Sequence, residues 1–545
     1  MRVSQVLADN FTTWGVTHVF GIPGKSISPL MLDIDSQGIQ FVLARHESGA
    51  GFAASGYAMF RDTIGIAIVT AGPGGTNALT SAAQAKAFHL PVLFITGQPS
   101  ASESGKPLGQ DSTQFGTDLV EMFRPVTKFS ARVDRPDVLH LYLKHALEKA
   151  FTGPCGPVHL CLPFDVLLDD IEPFTIPLPQ IPKVMAADVS NVLPLFNRAT
   201  RPVLLLGKGV HSAKAYDEVR LLAEHWGIPV ITTPGGKGVF PSTHELALGN
   251  FGLGGSDEAA EYLKSGTDLM IAVGTKISDM SLSGLTAEAY PQQIVHFDYD
   301  PTFSGKAIPV PTVFVPGDAR LNLARLLDLA HATPKTHNSL KVHRDGSVRT
   351  STDGVGLSAI SAIKALRRAL PQDAILFGDD GSHTFYAIRH YDVYEPGTFI
   401  FDDVFGAMGH PIGYSIGAKI AAPERTMVCL TGDGCLMMHG TELSTAVNEE
   451  AAVIFVVFNN GRLDMVDKGI SHHTGRTVGS IYQRPLNAAM FGKSMGLQTS
   501  VCHSESDIET AVRQALAANA PTLIEVMVNP HEIPPILSRS LTIPI

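Results

Sequence analysis

Six short and almost uninterrupted apolar runs limit what this chain can fold into. They are IGIAIVT (64–70), PVLFITG (91–97), RPVLLLGKG (201–209), DLMIAVG (268–274), RTMVCLTGDG (425–434) and AVIFVVFNN (452–460). A strand with one wet face alternates polar and apolar residues; these runs do not, so both of their faces must be covered. Each leads through glycine into a helical pattern, the arrangement of a parallel sheet wrapped by helices. The predicted fold class is therefore α/β, doubly wound.

Two stretches break this rhythm. Residues 173–190 (PFTIPLPQIPKVMAADVS) are rich in proline, and residues 333–356 (TPKTHNSLKVHRDGSVRTSTDGVG) are polar with turn-forming residues. Read as linkers, they divide the 545 residues into three blocks, 1–172, 191–332 and 357–533, each the size of one doubly wound domain. The last segment, NPHEIPPILSRSLTIPI, is too interrupted by proline for a helix and is expected to lie over another domain.

A net charge of −11 without a basic cluster argues against nucleic acid and anionic membranes as partners. The opening MRVSQVLADNFTTWGV lacks the apolar core of a signal peptide, and no apolar run is long enough to span a bilayer. The five cysteines include no C-x-x-C and leave an odd one over, which suits buried thiols in a reducing compartment. A soluble cytoplasmic enzyme is expected.

Chemistry concentrates at two strand ends. Asp433 follows the strand TMVCLT within Gly432-Asp433-Gly434, and a helical stretch follows it; Asn460 closes the next strand, VIFVVFNN. Carboxyl ends of strands are where open α/β sheets bind ligands. An Asp carboxylate, an Asn amide oxygen and a backbone carbonyl are hard oxygen donors; two phosphate oxygens and a water would complete the octahedron Mg²⁺ demands. The glycines let backbone N–H groups approach a diphosphate at the helix start. Alone, Gly-Asp-Gly is an ordinary turn. With Asn460 standing 27 residues after Asp433, it is far more specific.

This pattern resembles the diphosphate-binding motif of the thiamine diphosphate-dependent enzyme family. The resemblance implies Asp433, Asn460 and the backbone carbonyl of Arg462 as Mg²⁺ ligands, with Gly434, Cys435 and Met465 beside the cofactor. Near the N-terminus, ARHESGAGFAASGYA looks like the family segment that carries the activating glutamate. Glu47, read as standing at the end of the strand FVLARHE, would then share a proton with the aminopyrimidine and so promote deprotonation of thiazolium C2. Without the resemblance, Glu47 reads as an acid favoured by a helix N-terminus.

Further stretches match the family in order. TAGPGGTN (70–77) resembles its Ser-Gly-Pro-Gly turn, and Gly381, Ser382 and His383 resemble the loop that touches the diphosphate. In FGAMGHPIGYSIGAKIA (405–421), Gly406 would accept from the 4′-amino group and Met408 would wedge beneath the two rings. FGIPG, with Gly21 and Pro23, would line the thiazolium side, and Gln114 would contact substrate as a catalytic residue. Lys128 stands where a Pro-x-Thr-Lys segment normally does. The implied architecture is a pyrimidine-binding, a central Rossmann-like and a diphosphate-binding domain, with active sites between the subunits of a homodimer or homotetramer.

Within the family the chain looks most like acetolactate synthase-like carboligases, through FGIPG, TTPGGKGVFPSTHELALGNFG, HFDYDP and the GAMG turn. That implies a 2-oxoacid donor, pyruvate first among candidates, and a carbonyl acceptor. Departures are Gly469 at the position of a pocket-shaping tryptophan, Lys25 and Ser26 after FGIPG, and Phe115 in place of an acidic partner after Gln114. GTKISDMSL lacks the Arg-Phe-Asp-Asp-Arg pattern of flavin-bearing synthases, so FAD is not favoured. Residues 111–116 read DSTQFG, without the His-His pair of simple pyruvate decarboxylases, which favours ligation over protonation. A non-ligating decarboxylase or a flavin-dependent oxidase is the alternative. His472 and His473 are read as loop residues in a mobile, glycine-flanked stretch where lids of this family form.

Overall fold

A computed structural model describes residues 1–182, 184–330 and 356–536. Eighteen strands form three sheets of six, and every strand pairing within them is parallel. The first sheet uses His18–Gly21, Gln40–Leu43, Gly65–Val69, Val92–Gln98, Ser130–Arg132 and Val158–Pro163 in the spatial order 2-1-3-4-6-5. The central sheet uses Pro202–Leu206, Val230–Thr232, Ala247–Asn250, Leu269–Val273, Gln293–Asp298 and Thr312–Pro316 in the order 6-5-4-1-2-3. The third uses Ile375–Gly378, Phe399–Ile400, Met427–Gly432, Val453–Asn459, Gln498–Cys502 and Thr522–Met527, again in the order 2-1-3-4-6-5. All six apolar runs became strands. Gly65–Val69 and Val453–Asn459 are buried at every position, as strands covered on both faces must be.

The first and third blocks meet through two small-residue helices, Glu47–Phe60 and His410–Ala421. Their composition permits the close approach. A methyl on Gly417 would overlap the carbonyl oxygen of Ala53, and one on Gly56 would overlap that of Tyr414. Neither could be relieved by turning a side chain, because the obstacle is backbone. Phe52, Tyr57, Ile412 and Tyr414 fill the seam as one core shared by the two blocks.

Two expectations are corrected, and the tail is described only in part. His472 and His473 lie in the last turn of a helix, Asp464–Thr474, closed by Gly475 at φ +72°. That helix has acids in its first turn, where the helix dipole favours them. Glu47 is the first residue of its helix; the strand before it ends at Leu43. The tail, as far as Ile536, stays on the third block. Glu532 accepts from Ser358 Oγ at 2.9 Å and from the Ala359 N–H at 2.6 Å, and Ile536 joins that block's core. Residues 537–545 and nearly all of the expected 333–356 linker lie outside the described residues. The 173–190 segment has no regular element before Ser190 among its described residues, and it is tied to the first helix. Trp14 Nε1 donates to the Ile176 carbonyl at 2.6 Å, and the Ile176 N–H donates to Asn10 Oδ1 at 2.8 Å. Among the described residues, no helix is long and apolar enough to cross a membrane.

Candidate active site

Asp433 begins the helix Asp433–His439 directly after its strand. Its Oδ1 accepts the Gly434 N–H at 2.8 Å, and its Oδ2 accepts the Gly461 N–H at 2.8 Å. The second bond spans two strand ends and draws the 460–462 loop against Asp433. Burial pushes the Asp433 carboxyl up to about 6, against the pull of these hydrogen bonds. The neighbouring asparagines divide the work. Asn459 is buried, donating to Glu525 Oε1 at 2.6 Å and to the Leu486 carbonyl at 2.7 Å. Asn460 is half-buried, and its amide makes no hydrogen bond to the described residues. Arg462 turns its guanidinium away to Asp467, at 2.9 Å. Its backbone runs between the Tyr482–Gly461 and Leu463–Ser480 bonds of a short antiparallel bridge. Asp433 thus stands against the loop that carries Asn460 and Arg462, and a carboxylate, an amide oxygen and a backbone carbonyl are oxygen donors of the kind Mg²⁺ takes.

Beside them the helix Ser382–His390 begins behind Gly381. His383 is buried with Nε2 unpartnered by protein, and burial pushes its imidazole down to about 4, leaving it neutral at pH 7. The helix N-terminus, with His383 in its first turn, suits a diphosphate. The turn 405–409 is built around Gly406 at φ +70° and Gly409 at φ +86°, and the Gly409 N–H is fixed to Asp379 Oδ1 at 2.8 Å. Met408 reaches across to Gly434, its Cε 3.6 Å from where a Cβ there would stand. Cys435 is held within the fold, donating to the Asp380 carbonyl at 3.3 Å. Met465 packs against the core of the third block.

Glu47 stands apart from this group. It is buried, its Oε2 accepts from Asn77 Nδ2 at 2.9 Å, and its Oε1 faces Gly74. No hydrogen bond among the described residues joins it to the Asp433 group. The start of its helix is set by the third block: Glu442 Oε1 accepts the N–H groups of Arg45 at 3.0 Å and His46 at 2.8 Å. Ser26 ties the FGIPG loop to the 70–77 turn, with its Oγ 3.0 Å from Thr70 Oγ1 and accepting the Ala71 N–H at 3.2 Å. Pro23 is exposed on that loop. Gln114 is exposed on the loop whose Ser112 Oγ accepts the Gly72 N–H at 2.8 Å. Lys128 spends its ammonium on the carbonyls of Thr152 and Pro154.

Family models of the thiamine pyrophosphate enzymes match all three blocks. The N-terminal TPP binding domain covers residues 1–122, the central domain 189–326 and the C-terminal TPP binding domain 379–526. The chain belongs to the thiamine pyrophosphate enzyme family. Within it, the chain is 35% identical to the acetolactate synthase large subunit of Corynebacterium glutamicum, over 82% of this chain and 73% of that protein. It is 30% identical to the probable acetolactate synthase large subunit of Methanocaldococcus jannaschii, over 98% and 93%. Among solved structures, the 4-hydroxybenzoylformate decarboxylase of Rhodococcus jostii superposes with a TM-score of 0.86 at 24% identity, covering 97% of this chain and 99% of that one, a likeness of fold. The protein is thus an acetolactate synthase-like member of this family, with three α/β domains.

Sequence reading missed several residues of this thiamine pyrophosphate enzyme. Asn77, Glu442, Asp379 and Tyr482 each hold a site element through a partner distant in sequence. Asp380 and His410 form a buried pair, Oδ2 to Nδ1 3.5 Å, next to Gly406. Burial pushes Asp380 up to about 6. The doubled acid in FGDDGSH, followed by histidine after GAMG, was the available signal.

Proposed function

We propose that this protein is a thiamine diphosphate- and Mg²⁺-dependent carboligase. It would take CO₂ from a 2-oxoacid, pyruvate foremost, and join the acyl unit to an acceptor carbonyl. The observation that carries this reading is the Asp433 Oδ2–Gly461 bond, which draws the loop bearing Asn460 and Arg462 to Asp433. The unpartnered His383 Nε2 and the glycine-shaped approach at Gly381 and Gly434 fit a diphosphate.

In this reading the third domain binds and the first activates. Asp433, Asn460 and the Arg462 carbonyl hold the cation, and Gly381, Ser382 and His383 hold the diphosphate. Gly406 and Met408 orient the aminopyrimidine, while Glu47 holds a proton at its ring nitrogen. When bound, thiamine diphosphate supplies the electron sink for loss of CO₂ from the 2-oxoacid. Asn77, donating to Glu47 Oε2, leaves Oε1 as the atom for proton exchange. Since Glu47 faces Asn77 and Gly74 rather than the Asp433 group, we assign the two halves to different active centres of a homodimer or larger assembly. Val404, Phe405, Met437, Met438 and Val466, all exposed on segments flanking the third-domain group, supply an apolar face for such a partner. Five cysteines with no disulfide among them suit a cytoplasmic setting.

Ligation is favoured over plain decarboxylation by the DSTQFG loop, which offers no histidine pair to protonate the acyl unit. The likeness to acetolactate synthase large subunits supports the same choice. Incubation with pyruvate, Mg²⁺ and thiamine diphosphate, alone and with a panel of aldehydes and 2-oxoacids, tests this. A ligated product is expected. Stoichiometric free aldehyde would establish a decarboxylase instead, and an oxidised acid with a flavin spectrum would establish an oxidase.

A further inference from the structure

The 405–409 turn is held from outside its own domain. The Ala407 N–H donates to Gln84 Oε1 at 3.2 Å, and Gln84 Nε2 donates to Asp402 Oδ2. Asp402 Oδ1 accepts from Lys208 Nζ at 3.0 Å, and Lys208 also donates to the Ala87 carbonyl at 2.9 Å. Gln84 lies on the first-domain helix Pro73–Phe88, Asp402 just after the second strand of the third domain, and Lys208 after the first strand of the central domain. Lys208 also lines an open cleft of about 1190 Å³ between the three domains, of which Asp433, Asn460 and Glu47 are not part. Gln84 and Asp402 are fully buried, and the Lys208 side chain is only 11% exposed.

We propose that Gln84, Asp402 and Lys208 form a positioning relay through which the central domain sets the turn that holds the cofactor. The proposal rests on the reading that Gly406 and Met408 orient the aminopyrimidine. A glutamine amide can sit either way round in a site, and its neighbours decide which. An ionised Asp402 can only accept, so it fixes the Gln84 nitrogen toward itself and the oxygen toward the Ala407 N–H. Burial works to raise the Asp402 pKa, yet the Lys208 charge beside it, with a contribution from His410, keeps it below the ordinary carboxylate value. Without Lys208 the buried carboxyl would take up a proton and could itself donate. Gln84 would lose its fixed orientation, and Ala407 its acceptor. Lys208, which makes no hydrogen bond to residues 404–409, would thus act on Ala407 through two side chains, and on Val404 and Phe405 through Asp402, which accepts their N–H groups at 3.3 and 3.5 Å.

The test compares wild type, Lys208→Met, Gln84→Leu and the double variant. In the chain without cofactor, amide hydrogen exchange is measured across 402–409. In the holoenzyme, exchange of the thiazolium C2 proton of bound thiamine diphosphate is followed by NMR. Each single variant should speed amide exchange at Ala407 and slow C2 exchange by about tenfold, and at Ala407 the double variant should be no worse than either single, since both break the one chain that reaches it. Unchanged Ala407 protection in Lys208→Met, or additive effects at Ala407 in the double variant, would overturn the relay. If Lys208→Met does not fold, Gln84→Leu decides alone, because it leaves the Asp402–Lys208 pair in place; unchanged protection there is equally fatal. Glu47→Gln touches none of these contacts. If it leaves C2 exchange intact, the reading of the cofactor site falls, and the relay is judged on amide exchange alone.

Discussion

The first and third sheets run their strands in the same order, 2-1-3-4-6-5, and in both the second strand leads to a helix that packs on its counterpart in the other domain. In the first domain that helix opens on Glu47; in the third it opens on His410, behind the 405–409 turn. Strands 3 and 4 of the third domain lead to Asp433 and Asn460, whereas those of the first end at Val69 and Gln98, without acids. One scaffold used twice therefore carries, in the proposed reading, two unlike halves of a site. Topology sets where side chains can act, and a few residues at strand ends set what they do.

The largest expected effect breaks the symmetry by function. Glu47→Gln should lower turnover by about 10³-fold while cofactor affinity holds, and Asp433→Asn should instead lose Mg²⁺-supported cofactor binding. Titration calorimetry beside steady-state kinetics separates the two, and the reverse pattern would erase the contrast between halves. Next is the seam itself. Gly417→Ala drives a methyl into the Ala53 carbonyl and should cost about 2–3 kcal/mol in denaturant unfolding. Within the third domain, Asn459→Ala should cost about 2 kcal/mol by removing one of three hydrogen bonds to buried Glu525, with cation binding retained. Asn460→Ala should do the opposite, weakening cation binding at unchanged stability.

The central domain gives the smallest test, at a buried cation that faces the third domain. Lys237 is buried 6.0 Å from the Phe399 ring, and burial lowers its ammonium from 10.5 to about 8. Between those values the unfolded chain holds a proton that the folded chain has released. Stability should therefore rise with pH in that window, by at most about 1.4 kcal/mol per unit. Lys237→Met should flatten that rise, as read from urea midpoints across the window.

The fold was legible because its signal is local: fully covered strands have no polar alternation, and glycine marks their ends. The strand ends before Asp433 and at Asn460 were legible for the same reason, whereas Glu47 opens a helix and does not close a strand. The helix Asp464–Thr474 could have been found from its acidic start and Gly475 stop, but the glycine at 469 disguised it as loop. What stayed hidden depends on partners far along the chain. Glu442 caps a helix nearly 400 positions earlier, and Gln84, Asp402 and Lys208 come from three domains. No local pattern encodes such contacts; packing alone creates them.

The most direct test of a site built from two unlike halves is complementation. Glu47→Gln and Asp433→Asn chains, each inactive alone, are co-expressed and the whole pool of assemblies is purified. If the halves come from different subunits, half of the dimers are mixed and each holds one intact centre, so about a quarter of wild-type activity should return. No recovery in verified mixed assemblies would place Glu47 and Asp433 in one centre of one chain, or outside the site altogether, and would contradict the account.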